Sequence, residues 1–180
     1  DLRLATTDAL PGFPGYRFGR HDDPAQTRVA TLDGGTTDTA GRALVPLALP
    51  EIDAAGRPME ATVTLRLSEA SNRPVERRIT RPVAPAGPVI GIRPAFDGTL
   101  PEGARAAFDV IAVGADRASA PMAVRWRVNR VTTRYQWYEL YGQWNWEPVT
   151  TRETVATGTG TLGGDAPLRI AADVDWGKHE

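Results

Sequence analysis

Apolar and polar residues alternate one for one along several stretches of this chain. Over residues 59–68, Ala61, Val63, Leu65 and Leu67 fall on one side and Glu60, Thr62, Thr64 and Arg66 on the other. Val124, Trp126 and Val128 alternate with Arg125, Arg127 and Asn129. Leu168, Ile170, Ala172, Val174 and Trp176 alternate with Arg169, Ala171, Asp173 and Asp175. A repeat of two puts successive side chains on opposite faces of a strand, so each stretch predicts a half-buried antiparallel strand. Residues 107–113 are nearly all apolar, with Asp109 the one polar position, and predict a strand buried on both faces. Residues 43–49 also read as a strand, and Pro46 assigns it to a sheet edge or a bulge. Short strands and loops are expected over 17–28 and 73–80.

The 18 glycines and 15 prolines are spread along the chain and interrupt every window that would otherwise read as a long helix. The expected fold class is therefore all-β. The segment 81–88, RPVAPAGP, reads as a stiff extended connector. It separates two strand-rich regions, 1–82 and 83–180, and predicts two small β-sandwiches in tandem.

Aromatic residues are concentrated in one place. Residues 126–146 hold four of the five tryptophans and three of the four tyrosines. Gly142 can adopt a positive φ without steric cost, so a hairpin turn is expected at Tyr141-Gly142. Its arms would bring Tyr135, Trp137, Trp144 and Trp146 together across strands, while Trp126, on the side of Val124 and Val128, belongs to the core. A domain of about 90 residues rarely buries so many rings. Tyr135, Trp137, Tyr138, Tyr141, Trp144 and Trp146 are thus the candidate interface, and at least one of Trp137, Trp144 and Trp146 is expected to be exposed. A surface of this kind can also stack on sugar rings, which makes a carbohydrate-binding or adhesive module the alternative reading.

Charge and chemistry narrow the field. The net charge is -1, which provides no basic field for nucleic acid and no polybasic arm for lipid. No apolar run approaches the roughly 20 residues of a membrane helix, no export signal is expected, and direct membrane insertion is not expected. Cysteine is absent, which removes disulfides, thiolate catalysis and cysteine-ligated metal from this chain. His21 stands beside Asp22 and Asp23 before Pro24. Three adjacent ligand types invite a metal or hydrolase reading, but adjacent residues seldom converge on one ion, and a solvated turn is the simpler expectation. His179 lies in an unpatterned tail, and no Gly-x-Ser-x-Gly elbow occurs. Asp173 and Asp175 fall on the outward face of their strand. Residues 157–165, TGTGTLGGD, read as a flexible loop or hairpin rather than a phosphate cradle. No catalytic residue, cofactor or metal is expected.

Five runs carry a resemblance: GFPGYRFG (12–19), TDTAGRALVPLALP (37–50), RPVAPAGPVIGIRPAFDG (81–98), YQWYELYGQWNWEPV (135–149) and DVDWG (173–177). Together they resemble the bacterial alpha-2-macroglobulins. The resemblance implies macroglobulin domains, each a fibronectin-type-III-like β-sandwich, with room for one or two more strands upstream of the first. It implies a piece from the middle of a long periplasmic, lipid-anchored parent that traps proteases after cleavage of a bait segment. Neighbouring macroglobulin domains, proteases and a periplasmic penicillin-binding protein are the partners it implies. Many members carry a Cys–Gln thioester. This chain has no cysteine to supply one, and no functional residue of the family transfers to a position here.

Overall fold

The computed structural model describes residues 1–68 and 74–173. Ten strands are assigned among them: β1 (Leu2–Thr6), β2 (Arg17–Phe18), β3 (Thr27–Ala30), β4 (Met59–Leu67), β5 (Val75–Val83), β6 (Val89–Pro94), β7 (Arg105–Val113), β8 (Met122–Leu140), β9 (Gln143–Leu162) and β10 (Leu168–Asp173). They form two four-stranded sheets, β3-β1-β4-β5 and β10-β7-β6-β2, and the two-stranded ribbon β8-β9. No helix among the described residues is long and apolar enough to cross a membrane. The chain divides into two compact units, Asp1–Ile92 with Ala112–Ala120, and Arg93–Ile111 with Pro121–Glu180.

In the first unit β1 lies between β3 and β4, with Leu4 opposite Arg28 on one side and Ala61 on the other. Leu2, Leu4 and Ala61 are buried, and Leu32, Ile52, Met59, Val63 and Val83 pack against them. Burying each leucine contributes roughly 1.5–3 kcal/mol. The alternation over 59–67 therefore does face a core, but only at the Met59 end, because Leu65 and Leu67 are exposed. Phe18 is fully buried and lies over Gly91, its register partner, where an added Cβ would stand 2.7 Å from the ring. Arg57 is buried as well. Its Nη2 donates to the carbonyl oxygens of Arg20 and Asp23, fastening the 20–23 turn, while its Nε has no hydrogen-bond partner.

Three sequence expectations change. Residues 43–49 do not form a strand, and Leu44 is almost wholly exposed. Pro46 within the segment and Pro50 just after it carry no N–H, so neither can donate to a ladder. Residues 81–83 of the expected connector belong to β5, where Pro82 opposes Glu60 in an edge strand that tolerates its missing N–H. Residues 157–162 are not a loop: Gly158 and Gly160 lie inside β9, covered by Trp126 and Leu168 respectively. The expectations that fall on Val174, Asp175, Trp176 and His179 lie outside the described residues.

In the second unit β10 pairs with β7 from Leu168↔Val110 to Asp173↔Arg105. Asp109, the polar exception in the apolar run, is buried. Arg169, its register partner on β10, donates Nε to Oδ1 at 2.9 Å, and Arg93 on β6 donates Nη2 to Oδ2 at 3.1 Å. These bonds, that from Arg169 foremost, hold the Asp109 carboxyl below its ordinary range against the opposing effect of burial.

Candidate functional site: an aromatic ribbon

The ribbon is built from the two longest strands, β8 and β9. β8 and β9 pair antiparallel from Met122↔Leu162 to Leu140↔Gln143. At the turn Tyr141 has φ 54° and Gly142 φ 75°. Two successive left-handed residues between paired strands make the tight two-residue hairpin, and its twist matches that of the arms. Near the root, Met122, Val124, Trp126 and Val128 are half-buried and alternate with exposed residues. A bulge follows, because Val128 pairs with Ala156 while Asn129 pairs with Thr154, leaving Val155 as the extra residue. From Val131 to Leu140 and back to Thr154 every residue is exposed. That arm runs about 30 Å at the rise of an extended strand.

Directly opposed residues share a face, so the register sorts the arm into two surfaces. One face carries Val131/Arg152, Thr133/Thr150, Tyr135/Pro148, Trp137/Trp146 and Glu139/Trp144. Trp137 and Trp146 stack with centroids 4.6 Å apart and planes 13° apart. Tyr135 meets Trp146 edge-on at 5.7 Å. Such pairs contribute roughly 0.5–1.5 kcal/mol beyond area burial. Even so, Tyr135 is 66%, Trp137 60%, Trp144 66% and Trp146 61% exposed.

The other face is mainly polar, with Leu140, Tyr138 and Val149 as apolar exceptions: Arg130/Glu153, Thr132/Thr151, Arg134/Val149, Gln136/Glu147, Tyr138/Asn145 and Leu140/Gln143. Arg130 and Glu153 form an ion pair at 2.5 Å, and the middle of this face is a concave surface lined by Arg134, Gln136 and Thr151 among others. Tyr138 lies on this face and Tyr141 in the turn, so the six candidate rings do not form one surface. Four of them, Tyr135, Trp137, Trp144 and Trp146, do.

The catalytic candidates are not assembled. His21 lies in an exposed turn. Arg20 takes Asp22 at 3.1 Å and Asp23 at 3.6 Å, so both carboxylates turn to a guanidinium. The hydrogen bond from Arg20 holds the Asp22 carboxyl below its ordinary range. No cluster of three or more metal-ligating side chains occurs among the described residues. Sequence reasoning passed over two buried charged residues, Asp109 and Arg57. For Asp109 part of the signal was available, because a lone acid in an apolar strand must find cations, but its arginine partners are set by the pairing of β10 with β7 and by β6.

The chain is an all-β tandem of two macroglobulin-type β-sandwich domains, as matches to known proteins show. Residues 1–85 match the bacterial alpha-2-macroglobulin MG5 domain, and residues 91–180 match bacterial macroglobulin domain 6. The chain belongs to the bacterial alpha-2-macroglobulin family. It is 25% identical over 173 residues to an alpha-2-macroglobulin of Xylella fastidiosa, covering 94% of this chain and 10% of that protein. The chain thus spans about a tenth of the length of the curated relatives it matches. Among solved structures it is similar to Escherichia coli alpha-2-macroglobulin in its native conformation, with a TM-score of 0.67 and 22% identity over 98% of this chain and 12% of that one. It is also similar to the E. coli protein activated by porcine elastase, with a TM-score of 0.65 and 25% identity over 98% of this chain and 16% of that one.

Proposed function

We propose that this chain is a non-catalytic structural part of a bacterial alpha-2-macroglobulin-type protease inhibitor, one that traps its protease after cleavage of a bait segment. The observation that carries the reading is the pair of consecutive family domains, MG5 and MG6, which together span nearly the whole chain. The solved relative activated by porcine elastase supports a protease as the trigger in the full-length protein. The chemistry of the chain agrees. Asp22 and Asp23 both turn to Arg20, and the largest exposed apolar feature among the described residues is a row of aromatic rings suited to contact. In this reading the two domains hold the geometry of a larger assembly, and the ribbon is the surface through which they meet another part of it. The reading carries with it a periplasmic, lipid-anchored parent with a penicillin-binding protein working beside it.

The test uses the full-length parent. After limited digestion with an elastase-type protease, the parent is separated by size and assayed for retained protease. Retention that depends on cleavage is expected. A parent that is cut and leaves the protease free overturns the reading.

A further inference from the structure

We propose that the face of the ribbon bearing Tyr135, Trp137, Trp144 and Trp146 docks side-on against another domain of the same polypeptide, and that the docked surface is an apolar stripe with acidic residues at one end and a basic residue at the other. The inference rests on the structural role proposed above.

Three observations select this occupant. The first is the one-sidedness of the arm. Four rings cover one face along the arm, whereas the opposite face carries Thr132, Arg134, Gln136, Glu147 and the Arg130–Glu153 ion pair, with Tyr138, Leu140 and Val149 as its apolar exceptions. An arm entering a lipid surface tip-first would have to bury Glu139, Glu147 and Arg134 along with the rings. An arm lying along a protein surface buries one face only.

The second is area. Four rings about three-fifths exposed present roughly 400–600 Å² of apolar surface. With a matching area on the partner, the interface totals roughly 800–1,200 Å², within the range typical of contacts between domains of one chain. Sugar stacking fits less well. Trp137 and Trp146 turn one face each to the other, and Tyr135 meets Trp146 edge-on, so few open ring planes remain for a pyranose.

The third is charge. On this face Arg152 lies toward the root, where the outward side of β8 continues with Arg127 and Arg125, and Glu139 lies beside the tip. The surface is positive at the root, apolar in the middle and negative at the tip. A partner of opposite polarity fixes the direction in which the arm lies. A two-stranded ribbon is also only marginally stable alone in water, so an arm of this length gains stability from support along one face.

Side-chain oxidative footprinting of Trp137, Trp144 and Trp146 tests the proposal without any substitution. The intact parent is compared with the isolated 180-residue chain. Labelling roughly tenfold slower in the parent is expected from full coverage of the rings. Equal labelling in both overturns the proposal. So does protection of the isolated chain by anionic phosphatidylglycerol vesicles, by peptidoglycan fragments or by raising its own concentration, since each names a different occupant. In the parent, E139K combined with R152E is expected to restore labelling, and unchanged protection contradicts the proposed polarity. A parent that retains protease while its rings label freely refutes the docking alone. A parent with shielded rings that releases its protease refutes the trapping role alone.

Discussion

The indole of Trp126 lies across Gly158, its directly opposed neighbour on β9, so closely that an added Cβ would stand 2.4 Å from the ring. Phe18 covers Gly91 in the same way in the other unit. In each unit an aromatic side chain takes the space a Cβ would occupy, so the glycine is an element of packing rather than a break in the strand. G158A is therefore expected to destabilise the protein by about 1–3 kcal/mol through overpacking. The cost should fall sharply when G158A is combined with W126A. Chemical denaturation of the single and double variants measures this. An additive pair would show that the contact is not the cause.

Asp109 should matter more than its single carboxylate suggests. It is buried, and both oxygens are engaged by Arg169 and Arg93. D109N removes the carboxylate to which both arginines donate. Because the Arg169 side chain is well exposed and that of Arg93 partly so, water takes up part of the loss, and a cost of about 1–3 kcal/mol is expected.

The same group sets a pH dependence. The folded-state pKa of Asp109 is lowered by its arginine hydrogen bonds. Its contribution is therefore fully present above the unfolded value of about 3.9 and is lost as the pH falls through the lower folded value. Stability measured below about pH 4 should decline less steeply in D109N than in the parent sequence. Parallel slopes would show that other carboxylates account for the acid limb.

The hairpin turn holds a correctable strain. Tyr141 occupies the left-handed region at φ 54°, which asparagine tolerates better than tyrosine. Y141N should stabilise the ribbon by about 1 kcal/mol, slowing amide exchange in the arms roughly fivefold. G142A should speed exchange there. Exchange rates unaltered by both substitutions would contradict the assigned turn.

Arg57 is the fastening of the 20–23 turn. Hydrogen bonds from a charged donor contribute about 1.5–3 kcal/mol, and R57A removes two of them. Proteolysis of the variant should begin in this turn. Cleavage elsewhere first would place the weak point outside it.

Much of this was legible in the sequence because alternation and turn chemistry are local. The strand over Met59–Leu67, the doubly buried run containing Asp109 and the hairpin at Tyr141-Gly142 all follow from a few adjacent residues. What was not legible depends on distant partners. Residues 43–49 have the composition of a strand, but whether a strand forms is decided by an available edge and by the donors that Pro46 and Pro50 lack. Gly158 and Gly160 look like loop residues until Trp126 and Leu168 are seen to cover them. The aromatic ring cluster was visible, but its division into one aromatic and one polar face depends on the register. The turn at 141–142 sets that register within the arm, and the bulge at Val155 shifts it at the root.

The structural role is tested most directly by titrating an elastase-type protease with the isolated 180-residue chain and, in parallel, with the full-length parent. The expected result is loss of protease activity toward a protein substrate with the parent and none with the isolated chain at any ratio. Stoichiometric inhibition by the isolated chain alone would contradict a purely structural role for these two domains.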